Sequence, residues 1–482
     1  MEDLRKKLEK IDDYRWVIPR QGSMRVPGMI FSDENMLRQI FSDEAPKQVM
    51  NAACLPGIVG YSMAMPDIHW GYGLPIGGVI ATDVNEGIIS PGGVGSDINC
   101  GVRSIKTELT YQETKTKIKE LVGELFRNVP SGIGSCGRIN LSEKEVKRVL
   151  RDGTQWALEQ GYGWNEDGEL TEDGGCLENA DADVLSDRAL DRGKNQLGTL
   201  GAGNHFLELQ VVETIYDEDV ARAFGLFAGQ LCVMVHCGSR GLGYQVCDDY
   251  LVSMGKAVQK YHIELPDRQL ACAPLSSPEG KEYLGAMRAA ANYAYANRQC
   301  IMHWVRQSFE NILGNSAERM GMHLLYDVTH NTAKIEEYEI NGKLRKLCVH
   351  RKGATRSFPK GHPEVADRYR SVGQPVIIPG DMGRFSYILV GGESSMEHSF
   401  GSTCHGAGRL MSRHQAIKQT KGRAINRELE DKGIWVQSRG KHTLQEEAPE
   451  AYKNIDSVVN IVHAAGLSHK VARLKPVGVV KG

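Results

Sequence analysis

The chain runs to 482 residues, 41% of them hydrophobic and 24% charged, with 54 glycines and a formal net charge of −2 at pH 7. That length leaves ample volume for a buried core, and the composition excludes the disordered, collagen-like and disulfide-scaffold classes. A near-neutral balance also excludes nucleic-acid binding through bulk charge, though not through local patches.

A helix is expected to open the chain, whose first residues, MEDLRKKLEKIDDYRW, are charged of both signs, with no apolar leader and no apolar run of membrane-spanning length after them, so a cytoplasmic location is expected. The 11 cysteines, an odd number without a CxxC pair, suit a reducing compartment and roles as ligand or nucleophile. No linker, repeat or low-complexity tract divides the sequence, which predicts one domain over 1–482. SPGGVGSDINCGVR places Asp97 and Cys100 on a tight loop, close enough for both to reach one ion. The acidic run from Asn165 to Asp183 reads as a solvated surface insertion or a mobile lid.

Further along, GTLGAGNHFLEL holds Asn204 and His205, and the apolar run LCVMVH predicts a buried strand ending at His236. Alanine-rich sequence from Glu279 to Leu313 spaces Leu284, Met287, Ala291, Tyr295, Val305, Phe309 and Ile312 for a core-packed helix, on which His303 is structural. HLLYDVTH predicts a strand ending at His330, SYILVGG one beginning at Ser386, and a basic helix is expected after Gly408. Two stretches carry cations without acids: Asn341 to Pro363, with Lys343, Arg345, Lys346, Arg351, Lys352, Arg356 and Lys360, and His398 to Arg427, with Arg409, Arg413, Lys418, Lys421, Arg423 and Arg427. One such stretch alone reads as a face whose counter-charges come from elsewhere; two beside candidate histidines point equally to a polyanion. The expected architecture is α+β, a single large domain with mixed β-sheets and glycine-rich strand-end loops around a central metal cleft, with a doubly wound α/β sheet as the alternative.

Metal-ligand residue types recur where a strand meets a glycine-rich turn: Asp97 with Cys100, Asn204 with His205, His236, His330 and His405. A single strand-end histidine is usually a satisfied core residue; several in the same setting reverse that presumption. Asp97, Cys100, His205, His236 and His330 exceed what one tetrahedral ion with an open position needs, whereas two ions sharing the Cys100 thiolate use them all. Donor softness alone favours zinc over manganese. His405, in CHGAGR, is a candidate nucleophile toward phosphorus, with a further metal ligand or a general acid as alternatives. There is no GxxxxGK[ST] loop, strand-linked GxGxxG or KxDG motif, so a nucleotide would need another cradle, with Gly380 and Gly383 of IPGDMGRFSY as candidate phosphate-binding amides.

Together MPDIHWGYGLPIGG, SPGGVGSDINCGVR, GTLGAGNHFLELQ, HCGSRGLG, DVTHN, HRKGATR, IPGDMG, HGAGR and the closing VGVVKG resemble the RtcB family of RNA-splicing ligases, in the family order from about Met65 to Gly482. The resemblance implies a GTP-dependent ligase that guanylylates His405, passes the guanylate to an RNA 3′-phosphate and joins that end to a 5′-hydroxyl with release of GMP, in tRNA splicing or RNA repair. RNA ending in a 2′,3′-cyclic phosphate is first opened at the same centre. It implies two manganese ions, one on Asp97, Cys100 and His205 and one on Cys100, His236 and His330, overriding the preference for zinc.

By the same resemblance Asn204, His205, Phe206, Leu207, Glu208, His330, Asn331, Pro379, Gly380, Asp381, Met382, Ser386, His405, Gly406, Ala407, Gly408 and Lys481 contact the guanylate. Arg240, Lys352 and Arg409 contact RNA phosphates, and some relatives use a small activating partner, archease. Glu208 and Lys481 suit guanine, whose N1 and N2 donate and whose O6 accepts. Two positions depart from the expected pattern: Ser96, where an aromatic residue is common, and Asp381, where a serine or threonine is common and an acid would repel phosphate unless neutralised. The competing readings are a dinuclear cyclic-phosphate hydrolase without nucleotidyl transfer, and an RNA-holding subunit whose metals are structural.

Overall fold

The computed structural model describes residues 2–482. Two large sheets organise them. A seven-stranded sheet runs in the order Glu9–Lys10, Arg15–Ile18, Gly28–Phe31, Ile58–His69, Ile76–Asp83, Lys343–Lys352, Asn331–Ile340. The main path of an eight-stranded sheet runs His323–Thr329, Gly101–Thr110, Gln230–Cys237, Phe206–Ile215, Ser468–Lys481, Ser386–Gly391, Pro375–Ile378, with Trp435–Ser438 beside Ser468–Lys481. Pairing among the described residues is antiparallel in both, except Gly28–Phe31 on Ile58–His69 and Trp435–Ser438 on Ser468–Lys481. The α+β expectation therefore holds, and the doubly wound alternative, which needs a mostly parallel sheet, does not.

The three expected apolar strands form as Gln230–Cys237, His323–Thr329 and Ser386–Gly391. Gln230–Cys237 is buried at every position, which is why its sequence is a continuous apolar run rather than an alternation. The helix Pro278–Leu313 packs on it, capped by the Ser277 hydroxyl at its start and by Gly314 at φ 69° at its end. His303 sits on that helix edge-on to Tyr162 and Trp304, a packing role as expected. A second core, built from Val49, Met63, Leu389 and the helix Ile455–Ala464, lies against the seven-stranded sheet. No helix among the described residues is long and apolar enough to cross a membrane.

Two helix expectations are met, and two charge readings need correction. The expected opening helix forms as a single turn, Glu2–Arg5, and the expected basic helix after Gly408 as Arg413–Gln419. The acidic run is solvated only in part: Glu169, Glu178, Asp181 and Asp183 are exposed, but Asp167 is fully buried and binds Arg306 through both oxygens, and Glu172 and Asp173 pair with Lys334 and Arg356. These three carboxylates are counter-ions for cations more than a hundred residues downstream. Cations of the first basic stretch are likewise neutralised within the fold, Arg351 by Glu336, Arg356 by Asp173 and Glu364, and Arg345 by Asp83.

Candidate functional site

Strand register brings the expected metal donors together. Gly101, which follows Cys100, pairs with Cys237 on one side and Thr329 on the other, so Cys100, His236 and His330 stand at one end of three neighbouring strands. Phe206 pairs with His236 and adds His205 from the fourth strand. Asp97 arrives on the turn closed by the Cys100 N–H on the Asp97 carbonyl at 3.1 Å, with Asn99 at φ 55°. Arg298 braces this end of the sheet by donating to the carbonyls of Asn99 and Cys237 at 2.8 and 2.9 Å.

The five side chains form two triads sharing Cys100, namely Asp97, Cys100, His205 and Cys100, His236, His330, each with ligand atoms within 4.8 Å of one another. Cys100 Sγ lies 3.4 Å from Nε2 of His205 and 3.2 Å from Nε2 of His236, while the Nε2 atoms of His236 and His330 are 3.2 Å apart. Asp97 Oδ2 is 2.7 Å from His205 Nε2. Burial drives His236 and His330 well below the ordinary imidazole range, so both are neutral with lone pairs to offer. Nδ1 of His330 has no hydrogen-bond partner among the described residues. Burial, together with Asp97, pushes the Cys100 thiol up to about 12, and a cation at Sγ would reverse that by favouring thiolate. Two neutral imidazoles, a third whose proton is favoured by Cys237 and Asp97 until a cation replaces it, a shared thiol and a carboxylate are a donor set that fits a pair of divalent ions.

His405 extends from the strand Ser402–Cys404, and its ring centroid lies 4.8 Å from that of His330. Its Nδ1 is 2.6 Å from Oδ2 of Asp67, which also accepts the N–H groups of His405 and Gly406 at 3.1 and 3.3 Å. Asp67 is fully buried and belongs to the seven-stranded sheet, so the nucleophile candidate is held by one sheet and the metal donors by the other. Sequence reasoning did not single out Asp67. Lys453, also not anticipated, is buried and donates to the carbonyls of Pro66 and Ile68 at 2.9 and 2.5 Å, fixing the strand on either side.

Beside His405 opens a cavity of about 220 Å³. Of the expected guanylate contacts, its wall includes Asn204, Phe206, Glu208, Pro379, Gly380, Asp381, Met382, His405, Gly406, Ala407, Gly408 and Lys481. The others lie behind it. Leu207 alternates to the opposite face of its strand, between Phe206 and Glu208. His205 and His330 belong to the donor cluster, and Asn331 donates to the Asp97 carbonyl at 3.1 Å while accepting the Gly353 N–H at 2.9 Å. Ser386 accepts the Gly380 N–H at 3.2 Å and Gly383 donates to Asp381 at 3.0 Å, so neither of those glycine amides is open to a phosphate, a correction to the expected cradle. Asp381, the departure from the expected pattern, is paired with Arg384 and is held above the ordinary carboxylate range by burial.

Burial likewise raises the Glu208 carboxyl and lowers the Lys481 ammonium, whose Nζ donates to the Gly203 carbonyl at 2.8 Å. The wall also contains Arg413 of the second basic stretch, and His69, Glu447 and Tyr452, which no sequence signal marked.

The three expected RNA-phosphate contacts are all committed inside the protein. Arg240 donates to Thr199 and to the Gly132 carbonyl, each at 3.0 Å. Arg409 is bound by Glu447 and Tyr452, at 3.2 and 3.1 Å, and Lys352 donates to the carbonyls of Tyr72 and Gly92. Burial lowers Lys352 to about 8. Arg240 and Lys352 are thus held by the protein away from the cavity, whereas Arg409 lines its wall.

A family model described as tRNA-splicing ligase RtcB matches residues 48–482. The chain is 55% identical over 476 residues to the tRNA-splicing ligase RtcB of Thermococcus kodakarensis, covering 98% of this chain and 99% of that one. Its counterpart of the same name in Archaeoglobus fulgidus is 54% identical over 477 residues, with 98% and 99% covered, and that of Aeropyrum pernix is 51% identical over 477 residues with the same coverage.

Proposed function

The chain belongs to the RtcB family of tRNA-splicing ligases, and on that premise we propose that it joins RNA ends in tRNA splicing or repair, using GTP and a guanylylated histidine. The observation that carries this reading is the placing of His405, with Nδ1 committed to Asp67, ring against His330 of the donor cluster, on the wall of a cavity that also holds Glu208 and Lys481.

With Nδ1 bound, Nε2 is the nitrogen left to attack. Asp67 accepts the Nδ1 proton, fixes the tautomer that leaves a lone pair on Nε2, and stabilises the imidazolium character that develops as Nε2 bonds to phosphorus. In the first step the His405 Nε2 to α-phosphorus bond forms and the bond to pyrophosphate breaks. The RNA 3′-phosphate then takes the guanylyl group, freeing His405, and finally a 5′-hydroxyl attacks the 3′-phosphate phosphorus and displaces GMP. Glu208 and Lys481 offer an acceptor and a donor matched to the guanine edge. Two divalent ions, manganese by family resemblance, would be held by Asp97, Cys100 and His205 and by Cys100, His236 and His330, supplying charge to phosphoryl oxygens and an activated water for opening a cyclic phosphate.

Incubation with manganese and GTP labelled at the α-phosphate tests the reading. It should place an acid-labile, alkali-stable label on the protein that His405→Ala abolishes. A chain that opens cyclic phosphates without GTP, joins nothing and takes no label is the hydrolase instead. That alternative leaves the Asp67 and His405 pairing without a task.

A further inference from the structure

The segment Trp70 to Pro75 rises from the wall of the cavity, because His69 and Ile76 at its two ends pair with each other across the seven-stranded sheet and both line the cavity. Its backbone is clamped by side chains from separate parts of the fold. Asp43 accepts the Trp70 N–H at 3.3 Å, Gln48 binds Gly71 through both N–H and carbonyl at 3.1 and 2.6 Å, and Gln269 accepts the Gly73 N–H at 2.9 Å. Lys352 donates to the Tyr72 carbonyl. Gly73 stands at φ 73°, with the Gln269 carbonyl 2.7 Å from where a Cβ would sit.

On this immobile turn the two aromatic side chains point to water, Trp70 being 51% and Tyr72 48% exposed. Trp70 is the sole tryptophan exposed to that degree among the described residues. Neither ring lines the cavity itself, but both stand on a turn whose two ends do, so an RNA end leaving the cavity on that side passes them.

We propose that Trp70 and Tyr72 form a preorganised stacking platform for the unpaired nucleobases of an RNA end entering the cavity, an inference that rests on the RNA-joining reading above. Every base has a π face, so such a platform holds single strands without reading sequence, as a general RNA-joining enzyme requires. It also accounts for Lys352: the buried ammonium positions the platform rather than a phosphate.

The test is equilibrium binding of a short single-stranded oligoribonucleotide with a 3′-phosphate, and of the same strand with abasic residues at its 3′ end. The wild-type protein, Trp70→Ala/Tyr72→Ala and Trp70→Phe are compared, with thermal melts of each. The abasic strand should bind the wild type about tenfold or more weakly than the intact one. The double variant should bind both strands equally weakly, and Trp70→Phe should retain most of the discrimination whatever the double variant's melt. Equal affinity of the wild type for the two strands, or a double variant that still discriminates, overturns the platform. A wild type that joins RNA but shows no such discrimination sinks the platform alone, and one that binds no RNA sinks the RNA-joining reading with it.

Discussion

Oδ2 of Asp67 lies 2.6 Å from Nδ1 of His405 and accepts two backbone N–H groups besides, so one buried carboxylate oxygen fixes both the ring and the turn that carries it. Nothing partners its other oxygen among the described residues.

Asp67→Asn keeps the shape and an acceptor for the two backbone amides, but an amide cannot offset positive charge developing on the imidazole and can impose the wrong tautomer. The rate of His405 labelling by GTP should fall by roughly two to four orders of magnitude, with a thermal melt close to wild type. A variant that labels at the wild-type rate would show that Asp67 only holds the turn.

Cys100 belongs to both triads, so Cys100→Ala should remove tight binding of both manganese ions, read as the loss of two equivalents in a titration followed by electron paramagnetic resonance. Chelation should lower the melt of the wild type toward that of the variant, because a ligand at a hundred times its dissociation constant stabilises by about 2.7 kcal/mol. The metal-free wild type and the variant should then melt together. Should Cys100→Ala leave the chain unfolded where metal-free wild type folds, the thiol serves the fold rather than the metals.

Glu172 sits 1% exposed against Lys334 and Arg356 and accepts the Thr329 N–H at 3.0 Å. Removing it leaves the buried Thr329 N–H without its acceptor and takes one carboxylate from Lys334 and Arg356, which keep Asp173, beside the strand that delivers His330, at a cost of about 1–3 kcal/mol. Glu172→Ala should therefore lower the midpoint of denaturant unfolding far more than Glu178→Ala in the same acidic run, whose side chain has no ion pair among the described residues. Equal shifts would mean that the run contributes as bulk charge.

How far this was visible in the sequence depended on whether a residue's partner lay nearby. His236 and His330 were legible because apolar runs ending in histidine before a glycine or a turn announce a strand end, and the register of Gly101 with Cys237 and Thr329 then aligns them. The long helix was legible from its periodicity. Asp67 was not, since an acid inside MAMPDIH carries no spacing signal and its partner lies 338 residues away. The acidic run and the first basic stretch were each read as solvated or ligand-facing, yet Glu172 and Arg356, or Glu336 and Arg351, neutralise one another inside the core. Local charge density does not reveal which counter-charge the fold delivers. The same reason explains why Arg240 and Lys352 looked available.

His350 is fully buried, its Nε2 accepting the Ser90 N–H at 3.2 Å, and burial lowers it to about 4. The unfolded chain takes up this proton near the usual 6.5 and the folded chain only near 4, so the unfolded state binds more protons in between. Stability from this group is complete above about 6.5, declines as pH falls by about 1.4 kcal/mol per unit, and is lost below the folded value. His350→Gln, which keeps an acceptor for Ser90, should flatten the acid side of the melting profile relative to wild type. Parallel profiles would exclude His350 from the acid sensitivity.

The two ions should also be separable by one methyl group. A Cβ on Gly238 would stand 2.3 Å from Oδ1 of Asp97. The carboxylate cannot retreat with its loop, because the Asp97 carbonyl is bound by the Cys100 N–H and by Asn331 at 3.1 Å each, and Oδ1 itself accepts the Ser239 N–H at 3.1 Å. In Gly238→Ala the side chain must instead rotate, drawing Oδ2 away from His205, while the Cys100, His236 and His330 triad keeps its geometry. Manganese titration should then show one site weakened by roughly 10- to 100-fold, the usual cost of disturbing a ligand's support, and the other near its wild-type affinity. Equal weakening at both sites would mean that the shared thiolate moves with Asp97, and no weakening at either would remove Asp97 from the ligand set.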